Sequence, residues 1–173
     1  GPFALEDKQS LPTERIRISD CTFKRGGGVA TCGSEATLVR DVVVENCRIN
    51  CAMPLVRLKL RPDTPQHYED IHFRDITMDN PGASLFQIRK WSQYFDLQGQ
   101  PEPKSIVRNI TVSNIKGTIG SLGVVSGNAE TQISDITIEN VDVKAKDTKF
   151  TVSDKVKNVI TKKDDECLKI KND

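Results

Sequence analysis

The sequence predicts an all-β fold, a parallel β-helix of about five to six coils, and three observations predict it. A phrase of alternating apolar and polar residues returns five times along the 173-residue chain, and an Asp or Asn closes each copy, at positions 20, 46, 75, 114 and 140. The apolar residues follow a period of two, the pattern of strands, and no segment shows the ~3.6-residue period of a helix. Successive copies are 26 to 39 residues apart. Self-similarity at this period indicates a stacked solenoid, because one unit cannot bury its own apolar face.

The columns of the stack can be read from equivalent positions, and Thr37 to Arg61 is the clearest copy. Four residues before each closing Asp or Asn stands an apolar residue: Ile16, Val42, Ile71, Ile110 and Ile136. Five residues before it stand Arg15, Asp41, Asp70, Asn109 and Asp135. Because neighbouring strands lie about 4.8 Å apart, the apolar positions should form inward columns. The closing residues should form a polar ladder at a turn, with side-chain amides bonding along the stack.

Length and composition predict one domain, residues 1–173, with a long and thin core, since the chain is 36% hydrophobic and 28% charged. We predict that Gly1-Pro2 is a remnant of tag removal and that residues 3–14 form a partial first coil. Residues 144–173 should form a polar cap that stops further strands from adding to the C-terminal end. The net charge of +1 argues against a nucleic-acid partner. No apolar run approaches the ~20 residues of a membrane span, and no signal peptide stands at the N-terminus.

The five cysteines are an odd number, and none lies in a Cys-x-x-Cys arrangement. Cys21 and Cys47 hold the same place in successive coils, so we expect them to stack in the core as small apolar side chains rather than as a disulfide. His67 and His72 are isolated from any cysteine cluster, so no metal site and no cofactor are predicted. The glycine run 26–28 lacks the spacing of a phosphate-binding loop.

Several motifs follow one another in a recognisable order. They are Phe3-Ala4-Leu5, the segment PTERIRISDCTF, the segment from Gly26 to Glu35, and the strand from Val56 to Lys59. From Phe3 to about Val143 the chain resembles the C-terminal part of glycoside hydrolase family 28, the polygalacturonases and rhamnogalacturonases. The resemblance implies a right-handed, pectin-lyase-like β-helix, a pectin-type substrate and a secreted or periplasmic protein.

The chain also departs from that family. The family's Asn-Thr-Asp and Gly-Asp-Asp motifs do not occur in it, and Gly27 stands at the position of the family's histidine. Cleavage with inversion needs two carboxyl groups roughly 6.5–9.5 Å apart. Glu35 and Asp63 are expected to be solvated turn carboxylates instead. The resemblance therefore implies a fragment of a pectin-degrading hydrolase that carries no catalytic residue and is inactive as this chain.

A basic strip is predicted on the strand from residue 56 to residue 60. Arg57 and Lys59 alternate with Leu58, so both cations point outwards if Leu58 points inwards. Arginine can grip a carboxylate with two parallel hydrogen bonds, which suits galacturonate. The alternative is ordinary solvated strand charges. The resemblance favours substrate binding for Arg57 and Lys59, and it leaves Arg89 and Lys90 of the next coil, and Gly27, as weaker candidates.

Residues 91–104 form an insertion loop that lengthens one interval to 39 residues. Its aromatic residues Trp91, Tyr94 and Phe95 could stack on a sugar, or they could cover the coil below. The predicted partner is an acidic polysaccharide such as pectin or oligogalacturonate, with neither a membrane nor a nucleic-acid partner. An exposed strand edge at the N-terminal end predicts a homodimer through that end.

Two other functions compete with the hydrolase. One is a non-catalytic β-helical module that binds carbohydrate or has a structural role. The other is a viral tailspike or adhesin, which would need trimer-forming apolar stripes on the outer faces, and the sequence shows none.

Overall fold

The computed structural model describes residues 11–35, 37–91 and 96–162. In that part of the chain there are nine strands and no helix, hence no helix able to cross a membrane. The strands are β1 (Thr13–Ser19), β2 (Thr22–Phe23), β3 (Ala30–Cys32), β4 (Thr37–Ile49), β5 (Pro54–Leu60), β6 (Gln66–Lys90), β7 (Ser105–Val125), β8 (Thr131–Val152) and β9 (Lys157–Lys162). All of their pairings are parallel. The predicted parallel β-helix is confirmed.

The coils stack in the order β1, β4, β6, β7, β8 and β9, while β3, β5 and the second half of β6 form another wall. The register joins the positions that the sequence marks as equivalent. One such column runs Ile16, Val42, Ile71, Ile110, Ile136 and Val159. From the second coil onwards these side chains point inwards, and Ile71, Ile110 and Ile136 are fully buried. The core is therefore a row of stacked aliphatic layers, one layer per coil.

Each coil has two corners, five residues apart, where a residue other than glycine has a positive φ. The closing residues Asp20, Asn46, Asp75, Asn114 and Asn140 have φ between 49° and 56°. This left-handed region favours Asn and Asp among side-chain-bearing residues. The predicted amide ladder is present: Asn114 Nδ2 donates to Asp75 Oδ1 at 2.9 Å, Asn140 Nδ2 donates to Asn114 Oδ1 at 3.3 Å, and Asn46 donates to Asp20.

A similar ladder follows the other corner, which the sequence analysis identified only as a column. Asp41, Asp70, Asn109, Asp135 and Asn158 all have a positive φ there. Asn109 Nδ2 donates to Asp70 Oδ1, and Asn158 Nδ2 donates to Asp135 Oδ1. Both corners of the coil are thus stabilised by side chains of neighbouring coils.

The cysteine expectation is wrong for one residue of the pair. Cys47 is buried in the core, but Cys21 is exposed, because it lies in the first described coil and packs against another described coil on one side only. The four described cysteines are free thiols.

Several predictions fall on residues that the structure does not describe. These are Gly1-Pro2, residues 3–10 of the partial first coil, Tyr94 and Phe95, and residues 163–173 of the cap. At the first described coil, a cavity of about 510 Å³ is lined by core-facing side chains, including Ile16 and Val42. The dimer through this end stays a prediction.

Candidate binding site

Strand β5 turns its two cations outwards. Val56, Leu58 and Leu60 are at most 1% exposed and point into the core. Arg57 and Lys59 alternate with them and are half-buried on the outer face. The period-two reading of this strand is therefore correct, because Leu58 does lie inside.

The register identifies the neighbours of these cations in the next coil. Lys59 lies opposite Arg89, so the two side chains belong to one outer column. Lys90 lies opposite Leu60 and is exposed at the end of β6. Arg57 lies opposite Gln87, a residue that the sequence analysis missed. The sequence does contain a signal for Gln87: it directly precedes Ile88, the partner of Leu58, just as Arg57 directly precedes Leu58.

Gly27 leaves a notch that the Arg57 side chain fills. Arg57 Nη1 donates a hydrogen bond to the Gly27 carbonyl oxygen. A Cβ placed on Gly27 would lie only 2.6 Å from that Nη1, so the guanidinium occupies the space of a side chain at this position. Arg57 Nε is buried and has no hydrogen-bond partner among the described residues. Gly27 and Arg57 thus form one local unit.

Trp91 borders the same cations. Lys59 Nζ lies 4.3 Å from the centroid of the Trp91 ring, and Arg57 Cζ lies 5.7 Å from it. Both distances are within the ~6 Å of a cation–π contact. The backbone N–H of Trp91 donates to the Leu60 carbonyl at 2.8 Å, which continues the β5 ladder into the insertion. Trp91 therefore lies against the cations of β5, the strand of the preceding coil. We call Arg57, Lys59 and Arg89, with Trp91 at their edge, the basic face.

Directly after β5 the chain forms a buried ion pair that the sequence analysis did not predict. Arg61 Nη2 and Nε donate to the two carboxylate oxygens of Asp63 at 2.6 and 2.8 Å, and the side chains are 6% and 3% exposed. Burial on its own would raise the pKa of Asp63. The hydrogen bonds from Arg61 and from the Asp96 N–H outweigh burial and hold that pKa below its usual value.

Glu35 joins the same arginine, with Arg61 Nη1 at 3.3 Å from its carboxylate. The expectation of solvated turn carboxylates is therefore wrong for Asp63, which is buried, and incomplete for Glu35, which shares Arg61. The reason is the two-residue spacing of Arg61 and Asp63 around Pro62, which lets a corner residue fold back onto the preceding strand. A carboxylate whose pKa is lowered by arginine is a poor proton donor near neutral pH.

The arginines fall into two classes. Seven of the ten in the sequence form an ion pair with a described carboxylate: Arg15, Arg17, Arg40, Arg48, Arg61, Arg74 and Arg108. Arg25, Arg57 and Arg89 have no such pair within the described residues. Two of these three lie on the basic face. Among the described residues no cluster of three His, Cys, Asp or Glu could hold a metal ion.

The chain was compared with known proteins. The family model described as glycosyl hydrolases family 28 matches residues 7–167. A polygalacturonase of Medicago sativa is 30% identical over 110 residues, which is 61% of this chain and 26% of the relative. An exopolygalacturonase of Oenothera organensis is 28% identical over 113 residues, 61% of this chain and 31% of the relative. An exopolygalacturonase of Platanus acerifolia is 30% identical over 89 residues, 50% of this chain and 24% of the relative. The chain thus matches about a quarter to a third of each relative's length.

Proposed function

Since this chain belongs to glycosyl hydrolase family 28, we propose that its basic face binds the carboxylates of a pectin-type, galacturonate-containing polysaccharide. One observation carries the proposal: Arg57, Lys59 and Arg89 share a face, have no carboxylate partner among the described residues, and adjoin an aromatic ring. The names of the three relatives, polygalacturonase and exopolygalacturonase, support this substrate class.

The chemistry of the face fits an acidic sugar. A uronate offers one carboxylate per ring, and a guanidinium can hold it with two parallel hydrogen bonds. The buried Nε of Arg57 is a donor without a partner, and a bound carboxylate is one group that would satisfy it. Trp91 offers an apolar surface against which a sugar ring can stack. Each neighbouring coil adds a position along this wall about 4.8 Å further on.

We further propose that this chain is one part of a pectin-degrading hydrolase and that, on its own, it binds the polysaccharide without cutting it. Hydrolysis needs one protonated carboxyl group and one ionised carboxylate across the scissile bond. Glu35 and Asp63, the carboxylates we considered for these roles, are both engaged by Arg61. An extracellular location follows from the same proposal, because the proposed substrate is a polysaccharide of the cell wall.

The test of binding is a calorimetric titration of oligogalacturonate into the chain and into an Arg57→Ala, Lys59→Ala double variant. We expect weak, salt-sensitive binding to the wild type and a loss of tenfold or more in the double variant. Arg17→Ala is the matched control, because Arg17 is an exposed arginine of another face that is paired with Asp41. Equal affinity in the wild type and the double variant would remove the basic face from the site.

The second candidate function is a non-catalytic carbohydrate-binding module, which the capture of Glu35 and Asp63 by Arg61 favours. The two candidate functions predict different natural reading frames. The hydrolase predicts a longer protein with the Asn-Thr-Asp and Gly-Asp-Asp motifs, and that protein should release reducing sugar from polygalacturonate. The module predicts no release from either protein.

A further inference from the structure

Cys21 and Cys47 occupy the same place in the first and second coils. The strands that follow them are in register, with Thr22 opposite Arg48. The Arg48 N–H donates to the Cys21 carbonyl at 2.8 Å. Neighbouring parallel strands lie about 4.8 Å apart, which falls within the ~4.4–6.8 Å between Cα atoms that a disulfide spans. The spacing expected for stacked positions therefore lies within the range that a disulfide spans.

The two side chains also point the same way. Each Sγ donates to the carbonyl two residues earlier, Cys21 to Ser19 and Cys47 to Glu45, both at 3.1 Å. Cys47 Sγ lies 3.9 Å from the carbonyl of Ile18, which belongs to the coil of Cys21. These matching hydrogen bonds place both thiols on the same side of the stack, so we infer that a rotation about χ1 can bring the sulfurs together.

Both cysteines line a surface depression of about 300 Å³, together with polar residues that include Asp20 and Asn46. Cys21 is exposed, whereas Cys47 lies behind it in the core. Burial raises the pKa of the Cys47 thiol, so Cys21 is the thiol that meets a dissolved reagent first. Cys32 is neither exposed nor stacked on another cysteine, because it is buried and lies opposite Leu58.

We propose that Cys21 and Cys47 are a disulfide-forming pair that is oxidised by low-molecular-weight disulfides such as oxidised glutathione. The Cys21 thiolate attacks one sulfur of the oxidant, its S–S bond breaks, and one glutathione thiolate leaves. The Cys47 thiolate then attacks the Cys21 sulfur of the mixed disulfide and releases the second glutathione. Two protein thiols become one disulfide, one oxidant disulfide becomes two thiols, and the two thiol protons pass to the released glutathiones.

The bridge would join coil one to coil two through cysteines 26 positions apart in the sequence. Closing such a loop stabilises a protein mainly by restricting its unfolded chain. It would also fix the coil that carries Gly27 against the coil that carries Arg57, whose hydrogen bond links the same two coils.

The experiment equilibrates the reduced chain with oxidised glutathione, alkylates the remaining thiols after denaturation, and maps tryptic peptides by mass spectrometry without reduction. Trypsin separates Cys21 (residues 18–24), Cys47 (residues 41–48), Cys51 (residues 49–57) and Cys32 (residues 26–40) into different peptides. We expect the peptides of residues 18–24 and 41–48 to be joined with the loss of two hydrogens. We also expect the thermal midpoint of unfolding to rise by several degrees.

Three outcomes would overturn the proposal. They are two alkylated thiols, a stable glutathione adduct on Cys21 with Cys47 still alkylated, or a crosslink to a different cysteine or a second chain. Cys51→Ser is the matched control and should keep both the crosslink and the rise in midpoint. Cys21→Ser should lose both while the reduced midpoint stays near that of the wild type. If Cys21→Ser fails to fold, the peptide map of the wild type still decides.

Discussion

Two faces of the same stack treat their cations in opposite ways. On the wall formed by β1, β4, β6 and β7, arginines alternate with carboxylates from one coil to the next: Glu14 pairs with Arg40, Glu45 with Arg74, and Glu69 with Arg108. On the wall of β5 and the second half of β6, Arg57 lies opposite Gln87 and Lys59 lies opposite Arg89. The spacing between coils is the same on both walls, so the difference lies only in the residue types.

The arginines of the first wall are neutralised by carboxylates of the same chain, whereas the cations of the basic face are left for a ligand. Exposed ion pairs contribute only about 0–1 kcal/mol each, so the paired wall gains little stability from them. The pairing instead balances positive and negative charges along this wall. On the basic face two cations are stacked one coil apart, and they attract an anion although they repel each other.

The largest effect is expected where an ion pair is buried. Asp63→Ala leaves the Arg61 guanidinium buried with the half-exposed Glu35 as its carboxylate partner among the described residues, and this should cost about 3–5 kcal/mol of unfolding free energy. Urea denaturation of the variant and the wild type measures it. Arg17→Ala, which breaks the exposed pair with Asp41, is the matched control and should cost under about 1 kcal/mol. Similar losses in both variants would mean that burial does not distinguish the two pairs.

A smaller effect is expected when the basic face is given the partner that it lacks. Gln87→Glu puts a carboxylate opposite Arg57, in the same relation as Glu14 to Arg40. The new pair should compete with the ligand, and the affinity for oligogalacturonate should fall about two- to fivefold, because one exposed pair is worth up to ~1 kcal/mol. Isothermal titration of the two proteins at low salt measures the change. Gln87→Met keeps the length of the side chain without its charge, and if it lowers affinity as much as Gln87→Glu, charge pairing is not the cause.

The smallest effect is expected in the reverse experiment on the paired wall. Glu45→Gln frees Arg74, and the unfolding free energy should change by less than about 1 kcal/mol. Affinity for oligogalacturonate should stay within twofold of the wild type, because the register partners of Arg74 are Glu45 and Ser113, neither of them a cation, and Trp91 borders the other wall. An increase in affinity that matches the contribution of Arg57 would show that any unpaired arginine suffices.

The sequence predicted most of the fold because its signals are local. Alternation at Val42 and Val44 fixes which side chains point inwards, and Asn or Asp at a left-handed corner fixes where the chain bends. These two signals repeat in every coil, so they also fix the register. The same logic correctly placed Arg57 and Lys59 on one outer face.

The rest depended on contacts between residues far apart in the sequence. The position of Trp91 beside Lys59 depends on where the insertion returns to the stack, which no periodicity gives. The pairing of Arg61 with Asp63 depends on burial at a corner that is crossed by later residues, including Asp96. The exposure of Cys21 was not predicted because a repeat makes the coils equivalent and does not show that this coil has a described neighbour on one side only.

The side-chain hydrogen bonds of the amide ladders all run in one direction along the stack, and the ladders stop where no side chain can donate in that direction. An asparagine can donate to the preceding coil and accept from the next, whereas an ionised aspartate can only accept. Each ladder bond between corner side chains therefore runs from an asparagine back to the coil before it. Where an aspartate follows, the run ends, and in the described structure no side-chain hydrogen bond joins Asp41 to Asp70 or Asn46 to Asp75.

The interruption that both ladders share is thus between the second and third coils, and the ladder of Asp70 and Asn109 is interrupted once more where Asp135 follows Asn109. The ion pairs of Arg74 with Glu45 and of Arg48 with Asp79 cross it instead. A whole coil inserted at this junction would break none of the amide bonds between corner side chains, because none of the described ones crosses it. The stack, and with it the binding wall, can therefore be lengthened by a complete coil at this junction without redesign of the neighbouring turns.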